Sequence, residues 1–209
     1  MRAFSHRALR LLPGGMALLC VTLAGCNSDK LLQVSDPDVA RPSALSGVAG
    51  IPALRAGAIG DFGNAYDGGN ADVEQVHLAA LLTDEFINTE TFPTRIEIDQ
   101  RAQTLTNTSL IGTFLDLARA RTSADRAAAA YKQFAKSTAD STGYPEVLAL
   151  SGMAYVLFAE NYCGAVPAST QLPDGTLVFG APQTTTQMLD SAISKFNQAL
   201  AVQGAPLTN

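Results

Sequence analysis

The chain has 209 residues, 47% of them hydrophobic and 16% charged, with no Trp and a formal charge of −5. That length is one domain's worth of chain or slightly more, and the apolar fraction excludes a disordered protein. Residues 26–209 carry 11 basic side chains against 19 acidic ones, a net of −8, so nucleic acid is excluded as a partner and anionic lipid attracts the chain poorly. His6 and His77 are the two histidines, which leaves little room for histidine-based catalysis or zinc chemistry.

Residues 1–25 read as a leader. Arg2, Arg7 and Arg10 precede an apolar stretch from Leu11 to Gly25, interrupted by Pro13, Gly14 and Gly15. It is too short and too broken to span a bilayer, which takes about 20 apolar residues. It ends in Leu23-Ala24-Gly25-Cys26, which resembles the bacterial lipobox. The resemblance implies that Cys26 becomes the lipidated first residue of the mature chain, since thioether formation needs a thiolate and cleavage needs small residues before the cut. Several acyl chains on one Cys anchor firmly, where one binds marginally. Cys20 leaves with the leader, so Cys163 is the one thiol remaining and no intrachain disulfide forms. It is expected to be a small buried hydrophobe.

Residues 26–41 form a polar tether, broken at Asp36-Pro37. From residue 42 to 209 the pattern is helical. Leu45, Val48, Ile51, Leu54, Ala58 and Ile59 recur at three- and four-residue steps. Asp61 to Asn70 reads as a Gly-rich loop. A second helix carries Val73, Val76, Leu78, Leu82 and Phe86, capped by Asn70 or Asp72 and broken at Thr91-Phe92-Pro93. Residues 107–136 keep one face through Leu110, Phe114, Leu117, Arg121, Ala124, Ala128 and Tyr131. They form one long helix or two nearly collinear ones, the second starting at Thr122-x-x-Asp125. After a break at Ser141–Gly143, Pro145 suits the first turn of a helix running to Tyr162 that is apolar almost all round, so it is expected to lie between layers. Cys163 to Gln183 is a loop with a short strand at Leu177-Val178-Phe179. Thr184 to Val202 is an amphipathic helix with Leu189, Ile193, Phe196 and Leu200 on one face. The class is all-α.

Two half-motifs point to a repeat. Leu148-x2-Ser151-Gly152-x2-Tyr155 loosely matches helix A of a tetratricopeptide repeat, and Ala192-x3-Phe196-x2-Ala199 matches helix B. The long segment Cys163–Gln183 is inserted between them. The run Ala154-Tyr155-Val156-Leu157-Phe158-Ala159-Glu160-Asn161-Tyr162, followed by Cys163-Gly164-Ala165-Val166-Pro167, resembles a hallmark of the SusD/RagB family. There an aromatic-rich helix runs into a Tyr-Gly-Asp-Val-Pro-like turn. Here Ala165 stands for the Asp and Cys163 is inserted before the Gly. Leu82-Thr83-Asp84-Glu85-Phe86 and the helix with Leu189-Asp190 and Ala199-Leu200 are similar to further helices of that family.

The resemblance implies an all-α fold of tetratricopeptide-like helical repeats with long inserted loops. It implies a lipid-anchored protein at the surface of the outer membrane, without catalysis or cofactor, that captures glycans or other nutrients for a TonB-dependent barrel. Family members are longer, so the chain is expected to be an N-terminal part; a solenoid cut after one repeat helix exposes the face of Phe196 and Leu200. The competing expectation is a helical-repeat lipoprotein that scaffolds envelope assembly and binds only protein.

Other constellations read more plainly. Asp84 and Glu85, beside Asn88 and Glu90, suit paired-carboxylate glycoside hydrolysis, but neighbours on a helix point about 100° apart. Caps or ion pairs with Arg95 or Arg101 are expected instead. Asp61, Asn64, Asp67 and Asn70 offer oxygen ligands for Ca²⁺, yet their spacing is not that of an EF-hand and turn chemistry accounts for them. Tyr155, Phe158 and Tyr162 could stack on sugars, but at helical spacing aromatics belong to a core. Gly-x-Ser-x-Gly, His-Glu-x-x-His, a Walker loop and a dinucleotide fingerprint are all absent from the sequence. No ligand-binding or metal-binding residue is assigned.

Overall fold

The computed structural model describes residues 42–68, 74–137, 140–172 and 176–203. The leader, Cys26, the tether, Asn70 and Asp72 lie outside the described residues. After two 3-10 turns at Pro42–Leu45 and Val48–Gly50, six α-helices follow: α1 Ile51–Asp67, α2 Gln75–Leu82, α3 Pro93–Asp99, α4 Thr108–Phe134, α5 Tyr144–Asn161 and α6 Thr185–Gln203. No described helix is long and apolar enough to cross a membrane.

The long helices stack in the order α1, α4, α5, α6, with the strongest contacts between α5 and α6, α1 and α4, and α4 and α5. Phe62, Leu117, Tyr155, Phe158, Val166, Met188 and Ala192 share one core cluster; Ile51, Ala58, Ala124, Ala128, Tyr131, Val147 and Leu148 share a second. The buried face of α4 is mostly Ala and Leu, with Arg121 among them. Small side chains let axes approach closely, which the α5–α6 contact shows directly. A Cβ on Gly152 would lie 2.7 Å from the Phe196 ring.

Several expectations need correction. The supposed loop after Asp61 is helix as far as Asp67, because Phe62 and Ala65 continue the buried face of Ile51 and Ala58. That helix begins at Ile51, with Pro52 in its first turn, and not at Leu45. Pro93 starts α3 instead of merely breaking a helix, since its missing N–H costs nothing in a first turn. Phe86 lies outside α2 and is exposed. Of the two alternatives for residues 107–136 the single helix is the one observed: Thr122 does not cap, its hydroxyl donating back to Ala118 O at 2.8 Å. Asn107 is the cap, accepting from Leu110 N at 3.1 Å. On α6 the buried residues are Met188, Ala192 and Ala199, whereas Leu189 and Ile193 are exposed. Cys163 is exposed rather than buried.

Candidate functional site

The segment between α5 and α6 is the most elaborate part of the described chain. At the end of α5, Tyr162 meets Phe114 at 5.2 Å and Phe158 at 5.7 Å between ring centroids. Gln75 Nε2 donates to the Tyr162 hydroxyl at 3.1 Å and to Thr113 O at 3.2 Å, and Asn161 Nδ2 donates to Gln75 Oε1 at 2.9 Å. Burial pushes the Tyr162 phenol above its ordinary pKa, the Gln75 hydrogen bond opposing it. Tyr155, Phe158 and Tyr162 thus sit in or against the core.

Gly164 (φ 90°) and Ala165 (φ 60°) then both take left-handed backbone conformations. This double bend returns the chain so that Val166 is buried against α5. Left-handed backbone is costly for Ala and tolerated best by Gly, Asn and Asp, so Ala165 is strained here.

The inserted segment is held by two short antiparallel ladders. β1 (Val166–Pro167) pairs with β4 (Pro182–Gln183), and β2 (Thr170–Gln171) pairs with β3 (Leu177–Val178). Phe179 lies just beyond β3, so the predicted strand is one residue shorter. The insert is pinned to α4. Arg121 donates to the carbonyl of Ser169 and to Asp125 Oδ2 at 2.9 Å, and its guanidinium lies over the Tyr155 ring at 5.6 Å. Asp125 is the hub: its Oδ1 also accepts from Ser151 Oγ at 2.7 Å and from Lys195 Nζ at 2.5 Å. One carboxylate therefore ties α4 to α5, α6 and, through Arg121, the insert. Sequence spacing gives only the i, i+4 pair Arg121–Asp125; Ser151, Ser169 and Lys195 come from distant segments.

Among the singled-out acids, Asp84 and Arg101, both with left-handed backbone, pair at 2.5 Å, and Glu90 pairs with Arg95. Glu85 takes neither partner. Asp61, Asn64 and Asp67 lie on α1, and Asp61 Oδ2 accepts from Ser123 Oγ at 2.5 Å. Among the described residues no group of three His, Cys, Asp or Glu side chains is placed to hold a metal ion.

Two grooves flank α5. One, of about 330 Å³, lies between α2 and the end of α5 and includes Tyr66, Thr83, Glu85, Phe86, Glu160 and Asn161. Sequence reasoning did not find it, because Glu85 and Glu160 are far apart in the chain. The other, of about 440 Å³, lies on the outer side of α5 and α6 and includes Pro145, Ala149, Phe196 and Leu200. Comparison with family models, curated proteins and solved structures finds no match.

Proposed function

We propose that this chain is a SusD/RagB-like lipoprotein, anchored through Cys26 at the outer-membrane surface, that binds a glycan or other nutrient and passes it to a TonB-dependent barrel. It acts by binding, without a cofactor. The observation that carries the reading is the bend at Gly164-Ala165. It falls where an aromatic helix meets the Gly-x-Val-Pro turn, and it opens a laddered insert that a plain helical repeat does not need. The close approach of Gly152 to Phe196, with Ala192 and Ala199 buried, supports a tetratricopeptide-like pairing of α5 with α6. The exposed side chains of Met153, Leu189 and Ile193 offer an apolar face for a protein partner.

The test is recovery of the tagged full reading frame from detergent-solubilised outer membrane of its own bacterium, with a Cys26→Ser variant as control. A large TonB-dependent barrel in near-equal amount, lost with Cys26→Ser, is the expected result. Recovery of assembly factors alone overturns it in favour of the scaffold reading, which the same apolar face would serve.

A further inference from the structure

The groove between α2 and the end of α5 has a consistent chemistry. Val76, Ala79, Ala80 and Leu157 give it apolar lining, and Tyr66 (41% exposed) and Phe86 (50% exposed) line it as well. Glu85 reaches it from the turn after α2, and Glu160 from the last turn of α5. Both residues are exposed, and neither carboxylate has a hydrogen bond or ion pair among the described residues. The other polar groups add acceptors together with the Tyr66 hydroxyl and the second Asn161 Nδ2 hydrogen as donors. Thr83 donates its hydroxyl proton to Ala79 O at 3.0 Å, and Asn161 donates through Nδ2 to Gln75, leaving Oδ1 and that second hydrogen. No Lys or Arg lines the groove. Arg101, which pairs with Asp84 next to Glu85, is committed there at 2.5 Å.

A groove with two uncompensated carboxylates, no Lys or Arg and aromatic residues beside them repels an anion and favours a cation over a neutral ligand. An ammonium group supplies three donors and a positive charge, and rings attract it through their faces. Two carboxylates from different elements call for two such groups, and the apolar lining calls for methylenes between them. The volume falls in the range of about 300–1,000 Å³ typical of small-ligand sites.

We propose that this groove binds a small aliphatic diamine, one ammonium on Glu85, the other on Glu160, and the methylene chain over Val76 and Leu157. The net charge of −8 on residues 26–209 favours the approach of such a cation. The proposal stands apart from the uptake reading.

Isothermal titration of the full chain with putrescine, cadaverine, butylamine and butanediol tests it. Putrescine or cadaverine should bind about tenfold more tightly than butylamine, the gain expected for a second charge-assisted contact at a partly exposed site. Butanediol should not bind. Glu85→Gln and Glu160→Gln, both at exposed positions, should each reduce diamine affinity to the butylamine level and flatten its salt dependence, with unchanged far-ultraviolet circular dichroism. Equal binding of diamine and butanediol, unchanged affinity in both Gln variants, or no heat at about 10 mM diamine would overturn it. Diamine binding without a co-purified barrel removes the uptake reading alone; a barrel without diamine binding removes this site alone.

Discussion

Replacing Asp125 with Ala tests whether the polar hub holds three of the long helices, α4, α5 and α6, and the insert together. Asp125 accepts from Arg121, Ser151 and Lys195. The side chains of Arg121, Asp125 and Lys195 are 4%, 15% and 24% exposed, and Ser151 is fully buried. Removing the carboxylate leaves one guanidinium in the core without its counter-ion and one hydroxyl without its acceptor. Breaking a buried ion pair from one side costs about 3–5 kcal/mol; the partial exposure of Lys195 and Asp125 points to the low end, about 3 kcal/mol. For a chain of this size that lowers the melting temperature by about 6–12 °C. The comparison is Asp116→Ala, which removes a surface partner of Arg119 whose guanidine is largely exposed, and should cost under about 1 kcal/mol. Urea unfolding followed by circular dichroism measures both. Equal, small losses in the two variants would refute the hub.

Gly152→Ala places a methyl 2.7 Å from the Phe196 ring and should destabilise by about 1–3 kcal/mol; Phe196→Leu in the same chain should recover part of that in thermal melts, and no loss in the single variant would remove the close α5–α6 contact. Ala165→Asn suits the left-handed backbone at φ 60° better than Ala and should raise stability by about 0.5–1 kcal/mol in urea titrations, whereas a decrease would contradict the bend. Glu97 accepts from Asn107 and Thr104, and these bonds hold its carboxyl below the ordinary value of 4.5. Its contribution is therefore complete above that value and disappears as pH falls through the depressed folded-state pKa. Glu97→Gln should flatten this part of the acid limb, and a carbon-detected titration of Glu97 at or above 4.5 would contradict the assignment.

The three long C-terminal helices were legible because their apolar positions recur without interruption. The errors have specific causes. Asp61 to Asp67 is rich in turn residues, yet Phe62 and Ala65 extend the buried face of α1, and packing outweighs local propensity there. On α6 two periodic faces compete. Size alone does not decide between them: Met188 is buried with Ala192 and Ala199, and Phe196 packs against Gly152, while Leu189 and Ile193 stay exposed. The Asp125 hub and the α2–α5 groove depend on contacts between segments far apart in the chain, and no local pattern marks such contacts. The bend at Gly164-Ala165 was legible as a motif, but the left-handed backbone at Ala165 was not, since Ala does not announce it.

How the insert is attached bears on what it can carry. Arg121 grips the backbone carbonyl of Ser169, and Ser169 Oγ accepts from Gly180 N at 3.2 Å. A Cβ at Gly180 would collide with the Ala168 carbonyl, so the two limbs meet backbone to backbone. Anchorage of this kind specifies the path of the chain and leaves its outward side chains free. Leu177, Val178 and Phe179 are exposed, Phe179 at 84%, and contribute little apolar burial to folding. Phe179→Ser should therefore change unfolding free energy by no more than about 0.5 kcal/mol. If the insert is where a partner docks, the same substitution reduces the partner recovered from outer membrane. A large stability loss from Phe179→Ser would mean that the tip packs against the helices, and the separation between anchorage and display would fail.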